Sequence, residues 1–124
     1  MKRNDLLTNT EHQIMLHLWS IAKKNPKFIL VRSILECYPE DDRPAYTTLA
    51  TFIKILVNKK FVSVKKVGNL LTIKPSVSQD AYAKRVLKYN LSDFFENDEV
   101  KMVEFLVQNS NLTPEQKEEM KALL

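Results

Sequence analysis

The sequence predicts a mainly α-helical protein that carries one small β-hairpin. Apolar residues recur every three or four positions along most of the 124 residues, which is the spacing of core-facing helices. Only residues 61–74 alternate loosely, with the turn pair Gly68-Asn69 between two β-branched stretches. Charge also divides the chain: residues 1–77 hold 13 Lys and Arg against 6 Asp and Glu, whereas residues 78–124 hold 6 against 9. We therefore expect two domains with these bounds and with net charges of +7 and −3.

Two helices are predicted in the first part of the chain. The first begins at a capping box, in which the side chains of Thr8 and Glu11 satisfy each other's backbone amides, and should end near Lys24. Residues 28–29 indicate a very short extended piece. The second helix should cover residues 31–37.

Residues 45–60 are the most informative stretch, because they contain no glycine or proline and predict a helix with two distinct faces. Helical spacing places its apolar residues on one side, namely Leu49, Phe52, Ile53, Leu56 and Val57. The opposite side carries no acid and consists of Thr47, Thr51, Lys54 and Asn58. A plain surface helix with a Thr-rich face is the simple alternative. An acid-free face of hydrogen-bonding side chains, however, can meet base edges in a DNA major groove without repelling phosphates.

The hairpin completes a characteristic order of elements. Residues 61–67 and 70–74 are the predicted strands, and Pro75 ends the second. Helix, short extended piece, helix, helix and hairpin is the order of a winged helix–turn–helix, in which the hairpin is the wing. Lys65 and Lys66 would then lie where a phosphate backbone passes.

Three further helices are predicted after residue 77, and together they form a dimerisation region. They should cover about residues 79–95 and 98–108, followed by a last helix that Thr113 caps and Pro114 begins. Their apolar residues occupy more than one side, so helices this short cannot bury them alone, and a second copy of the chain is the economical partner. The predicted dimer interface comprises Leu87, Leu91, Phe94, Val103, Leu106, Met120 and Leu123.

No catalytic, metal or cofactor site can be assembled from the sequence. His12 and His17 are five residues apart, so on a helix they point about 140° apart and are poor partners for zinc. Cys37 follows Ile34-Leu35 and is predicted to be a buried structural thiol. No apolar run approaches the ~20 residues needed to cross a bilayer, and the chain start lacks a secretory signal. We therefore expect a non-enzymatic protein of the reducing cytoplasm with no direct membrane binding.

Three motifs of the sequence occur together. The first comprises Leu7-Thr8, Glu11, Ile14-Met15 and Leu18-Trp19. The second comprises Tyr46-Thr47-Thr48-Leu49, Thr51, Leu56 and Lys59. The third comprises Leu112-Thr113-Pro114-Glu115, Glu119-Met120 and Leu123-Leu124. In combination they resemble the penicillinase-repressor family, the bacterial repressors of β-lactamase and methicillin-resistance operons, over about residues 5–124.

The resemblance implies a winged-helix homodimer that binds a palindromic operator and represses a β-lactam-resistance-like or stress operon. In the β-lactam systems a membrane-bound sensor metallopeptidase triggers cleavage of the repressor within its dimerisation domain. The Asn-Phe bond that is cut in staphylococcal-type members aligns with Phe105-Leu106. Two further positions depart from the family pattern: Ile55 replaces a common Arg, and Lys60 replaces a common Gly. The paired cysteines of the copper-responsive members are absent.

We therefore predict a dimeric, sequence-specific repressor that binds double-stranded DNA. The predicted base contacts are Tyr46, Thr47, Thr48, Thr51 and Lys54. The predicted phosphate contacts are Arg43, Lys59, Lys65 and Lys66. Two alternatives stay open: a winged helix used as a protein-interaction adaptor, and an accessory protein that binds nucleic acid without sequence choice.

Overall fold

The computed structural model describes residues 5–123, which form six α-helices and one β-hairpin. The helices are α1 (Asn9–Lys23), α2 (Val31–Leu35), α3 (Tyr46–Asn58), α4 (Gln79–Phe94), α5 (Glu99–Asn109) and α6 (Pro114–Ala122). The strands are β1 (Val62–Val67) and β2 (Leu70–Pro75), and a 3-10 turn occupies Glu40–Asp42. This order confirms the predicted fold class, a winged helix–turn–helix followed by three helices. None of the helices described is long and apolar enough to span a membrane.

Packing divides the chain into two compact units, Met1–Ala83 and Lys84–Leu124, so the boundary falls inside α4. In the first unit, α1, α2, α3 and the hairpin share one core. The side chains that are fully buried there are Ile14, Met15, Leu18, Ile34, Leu49, Ile53, Leu56 and Phe61. Those of α1 and α3 recur at intervals of three and four residues, which is the spacing that predicted both helices.

Capping side chains fix where the helices start. The amide of Thr8 donates to Oε1 of Glu11 at 2.9 Å, and the amide of Glu11 donates to Oγ1 of Thr8 at 3.3 Å, so the predicted capping box of α1 is confirmed. Thr113 and Gln116 form the same reciprocal pair at the start of α6. Side-chain caps satisfy amides that have no partner inside the helix.

The end of α3 is closed by a Schellman motif. The amide of Phe61 donates to the carbonyl of Leu56 at 2.9 Å, and the amide of Lys60 donates to that of Val57 at 3.0 Å. Lys60 occupies the left-handed position of this motif, with φ at +66°. A side chain with a Cβ is strained in this region, whereas glycine adopts it freely.

The hairpin has a regular antiparallel register. Lys65 lies opposite Thr72, and Lys66 lies opposite Leu71. The turn uses Gly68, with φ at +61°, as the backbone demands at a tight hairpin corner. Since neighbouring residues of a strand point to opposite faces, Lys65 and Lys66 project from opposite sides of the wing.

The structure corrects the prediction for Cys37 and shortens the second helix. α2 ends at Leu35, two residues earlier than expected, and the chain turns there. Tyr38 takes the inward position and is buried, while Cys37 is exposed and its Sγ donates to the carbonyl of Ser33 at 3.4 Å. The extended piece at residues 28–29 is represented by one backbone bond, from the amide of Ile73 to the carbonyl of Ile29 at 2.8 Å.

The strained position at the end of α3 gives a stability prediction. Replacing Lys60 by Gly should raise the free energy of unfolding by about 0.5–1 kcal/mol, because glycine removes the Cβ strain while the two Schellman bonds remain. Urea denaturation followed by the fluorescence of Trp19 measures this change. Lys60→Ala is the matched control, since it removes the same charge without relieving the strain. Equal stability of the two variants would contradict the interpretation.

Candidate nucleic-acid interface

One side of α3 presents polar groups to solvent along its whole length. The buried side of the helix carries Leu49, Ile53 and Leu56. The side chains opposite are all exposed, and they are Thr47, Thr51, Lys54 and Asn58. The helix therefore has the two faces that its sequence predicted, and the acid-free face is exposed to solvent.

The hydroxyl of Thr51 is held in a defined orientation. Its Oγ1 donates to the carbonyl of Thr47 at 2.9 Å, within the same helix. The hydroxyl proton is thus already used, and the oxygen is left to accept a hydrogen bond while the γ-methyl stays exposed. An acceptor beside a methyl group suits the amino group of adenine or cytosine and the methyl group of thymine.

The flanks of this face differ from each other. Tyr46, the first residue of α3, is more than half exposed. Thr48 is exposed but lies on the other flank, beside a groove that Asp42 and Pro44 also line. Arg43 is exposed just before the helix, and its Nη2 donates to the carbonyl of Tyr38 at 3.2 Å. That bond orients the guanidinium and leaves its other N–H groups available.

Positive charge surrounds the polar face without any acid in the same stretch of chain. Residues 43–79 contain no Asp or Glu, yet they hold seven basic residues, namely Arg43, Lys54, Lys59, Lys60, Lys65, Lys66 and Lys74. A surface that neutralises phosphates needs such an excess, because each carboxylate would repel the backbone of the duplex.

Lys59 is the exception among these cations, because its ammonium is held inside the first unit. Its Nζ donates to Oε1 of Glu11 at 2.7 Å and to the carbonyl of Leu6 at 3.1 Å. Glu11 is only 4% exposed, and it also accepts from the amide of Thr8. Burial raises the pKa of Glu11, but the hydrogen bonds and charge of Lys59 and Thr8 outweigh it, so the pKa is lowered. This geometry favours a structural role for Lys59 over the phosphate contact predicted for it.

The two wing lysines belong to different surfaces. Lys66 shares its face of the hairpin with Val64 and Leu71, which border a cleft against α3. Lys65 shares the opposite face with Lys74 and Thr72. The structure therefore brings Lys66, and not Lys65, to the side of the wing that faces α3 and its polar face.

The second unit lacks a core of its own. Within residues 84–123, Val107 is the only side chain less than 9% exposed. Of the predicted dimer residues, Leu91, Val103 and Met120 are half-buried. The other four, Leu87, Phe94, Leu106 and Leu123, are exposed. The exposed fraction of the residue is 74% for Phe94, 64% for Leu106 and 78% for Leu123. Apolar surface on this scale marks an interaction site.

The bond between Phe105 and Leu106 lies inside α5, and both side chains are largely exposed. The Phe105 ring contacts that of Phe95 at a centroid distance of 5.4 Å. Proteases cleave segments that have opened locally, so cutting this bond would require the middle of α5 to unwind.

Titratable side chains that could carry chemistry are dispersed. Among residues 5–123 no group of three or more His, Cys, Asp and Glu side chains could hold a metal ion. His12 is exposed, whereas His17 is partly buried with its ring 4.4 Å from that of Tyr38. Burial lowers the pKa of His17, as expected for a packed imidazole.

Comparison with known families connects this geometry to a function. The family model of the penicillinase repressors matches residues 7–124. The chain belongs to the penicillinase repressor family. This family consists of DNA-binding transcriptional repressors and not of enzymes, and the winged-helix fold described above agrees with it. No curated protein matches the chain.

The Glu11–Lys59 ion pair connects two of the motifs by which the sequence resembles the family, and the sequence alone did not predict this contact. Glu11 belongs to the first motif and Lys59 to the second, and the fold joins these two motif positions in one ion pair. Lys74 lies on the same face of the hairpin as Lys65, which the period-two alternation of the strands also predicts. The ion pair could not be found in this way, because its two residues are 48 positions apart in the chain.

Removing the carboxylate of Glu11 should destabilise the first unit. Glu11→Gln keeps an acceptor for the Thr8 amide but leaves the Lys59 ammonium without its counter-charge, so we expect a loss of about 1–3 kcal/mol at pH 7. Because the folded pKa of Glu11 lies below the ordinary value of 4.5, this stabilisation is complete above pH 4.5 and disappears as the pH falls through the folded pKa. Urea denaturation of both proteins at pH 7 and at pH 3 measures it.

The exposed Glu36→Gln is the matched control and should change stability by less than about 0.5 kcal/mol at either pH. A Glu11→Gln penalty of the same size at pH 3 and pH 7 would show that the ion pair is not its source.

Proposed function

We propose that this family member is a homodimeric repressor that recognises a specific palindromic operator through α3. The observation that carries the proposal is the exposed, acid-free face of α3 formed by Thr47, Thr51, Lys54 and Asn58. Thr47 and Thr51 would approach base edges in the major groove. Tyr46, Thr48 and Lys54 would flank them at the groove edge.

Phosphate contacts in this proposal come from Arg43 before α3 and from the wing. Lys66 lies on the face of the hairpin that borders the α3 cleft, so it would contact a phosphate of DNA bound to α3. Lys65 lies on the opposite face and would reach phosphates only where the duplex passes around the wing tip. Lys59 is left out of the contact set, because Glu11 and the Leu6 carbonyl hold its ammonium. The proposed phosphate contacts are therefore fewer than those predicted from the sequence, whereas the proposed base contacts are the same.

The dimer rests on the uncovered apolar side chains of the second unit. Water-exposed residues such as Phe94, Leu106 and Leu123 would be buried against the same residues of a second copy. A two-fold pair would present two recognition helices to half-sites about 34–36 Å apart. An adaptor function, with a different protein on this surface, is the competing proposal that the same exposure supports.

Location and control follow from the family resemblance. We propose a cytoplasmic repressor of a β-lactam-resistance-like or stress operon, with a membrane-bound sensor metallopeptidase as its upstream partner. Inactivation would cut the Phe105–Leu106 bond, and this requires α5 to open first. The exposure of both side chains supports access once the helix has unwound.

Specific and general contacts should respond differently to mutation. Duplexes selected by the protein from a random pool provide a preferred sequence and its scrambled counterpart. Thr51→Val removes the acceptor but keeps the shape, so the preference for the selected duplex should fall about tenfold. Lys66→Ala should weaken both duplexes alike and reduce the slope of log K against log salt by about 1.8, because the dimer loses one phosphate contact from each protomer.

Fluorescence anisotropy at two salt concentrations measures both effects. Ser20→Ala on α1 and Lys88→Ala on α4 are the controls, because both side chains are exposed outside the proposed interface. Equal effects of Thr51→Val on the selected and scrambled duplexes would overturn the assignment of α3 as the specificity element.

The dimer surface can be tested without DNA. Light scattering coupled to size-exclusion chromatography should give twice the chain mass of 14.5 kDa for the wild type. Leu106→Glu should give the monomer mass, since a carboxylate at the centre of the proposed interface would be buried without a partner. Leu16→Glu, at an exposed apolar position of α1, should remain dimeric. A wild-type monomer would favour the adaptor proposal.

A further inference from the structure

A half-open cleft of about 440 Å³ separates α3 from the inner face of the wing. Its floor and walls are apolar and comprise Val31, Ala50, Ile53, Val57, Val64 and Leu71. Three polar side chains, those of Tyr46, Lys54 and Asn58, complete the lining. This volume and this ratio of apolar to polar groups are typical of sites for small organic ligands.

The apolar part of the cleft is open to water in the free protein. Val64 and Leu71 stand on one face of the hairpin and are each more than a third exposed. Neither side chain is needed to close the core, because Ile73 and Val62 on the same face are buried against the helices. A planar apolar molecule could therefore cover Val64 and Leu71 without displacing any core side chain.

Charge decides which kind of molecule fits. Lys54 is the one charged residue of the lining, and no carboxylate of residues 5–123 forms an ion pair with it. The stretch 43–79 that supplies most of the lining contains no acid. The cleft thus presents an uncompensated cation beside an apolar slot, an arrangement that selects an anion with an apolar body.

We propose that this cleft binds a small planar aromatic carboxylate. Its ring would lie between the hairpin side chains Val64 and Leu71 and the α3 side chains Ile53 and Val57. Its carboxylate would accept from Nζ of Lys54 and from the amide of Asn58 at the rim. Both groups can donate to a carboxylate at that edge.

The regulatory consequence rests on the proposed function. Tyr46, Lys54 and Asn58 belong both to the cleft and to the face that would meet DNA. A bound carboxylate would neutralise Lys54 and occupy the space between recognition helix and wing, so ligand and operator would exclude each other. By linkage, the ligand lowers DNA affinity by the same factor by which DNA lowers ligand affinity.

The binding test uses 2-naphthoate and its neutral analogue 2-naphthalenemethanol, titrated into the ¹⁵N-labelled full chain. With about 13 heavy atoms, naphthoate should bind with a Kd of about 1 mM or tighter. Saturable amide shifts should centre on Ala50, Lys54, Val64 and Leu71, and the neutral analogue should bind at least about fivefold more weakly.

Two variants test the assignment of roles. Lys54→Met should abolish the preference for naphthoate over the neutral compound, whereas the matched Lys88→Met in α4 should leave it intact. Leu71→Glu, at an exposed position, places a carboxylate in the slot and should prevent naphthoate binding. Equal affinity for the two compounds, or shifts confined to residues 84–123, would overturn the proposal.

Measuring DNA binding in the presence of naphthoate distinguishes this inference from the proposed function. The apparent Kd for a selected duplex should rise in proportion to naphthoate once its concentration exceeds its own Kd. Unchanged DNA affinity with a saturated cleft would overturn the competitive mechanism. Absence of DNA binding without naphthoate would instead refute the proposed function, while the amide shifts would still decide whether the cleft binds the carboxylate.

Discussion

The ion pair between Glu11 and Lys59 anchors the C-terminal end of α3, the helix that carries the acid-free polar face. It joins the first turn of α1 to Lys59, the residue that caps the C-terminal end of α3 directly before the left-handed position at Lys60. Glu11 is the one buried charged side chain among residues 5–123, so its carboxylate must be fully hydrogen-bonded for the fold to tolerate it. Lys59 and the Thr8 amide meet that requirement. Because this end of α3 is fixed and Leu49, Ile53 and Leu56 are buried, the polar face can only point outward.

The two units of the chain differ in how much apolar surface each of them buries. The first unit buries large side chains from three helices and the hairpin and has a core of its own. The second unit leaves residues such as Phe94 and Leu123 in water, and only Val107 is buried in the part described. Burial of such side chains is the main favourable contribution to folding, so in the proposed dimer the second unit would gain its stability from the partner surface.

Sequence reasoning succeeded where the determining interactions are local. Periodicity placed α3, and capping residues such as Thr8 and Thr113 placed helix starts, because those signals lie within a few positions of each other. It was wrong for Cys37, since α2 ended earlier than the apolar pattern suggested and Tyr38 took the inward position. It could not predict the ion pair of Lys59, because the partner in space lies 48 residues away and no local pattern encodes that contact. The separation of Lys65 from Lys66 was available from strand alternation alone.

Sequence-selective DNA binding by a dimer is the central property proposed for this protein, and one titration tests it directly. The wild-type protein is titrated against the fragment upstream of its own gene and against a scrambled fragment of equal length, at two salt concentrations. We predict binding to the upstream fragment that is at least about 10³-fold tighter, weakens with salt, and saturates at two chains per site. Equal affinity for both fragments would contradict sequence-specific repression and leave a protein that binds nucleic acid without sequence choice.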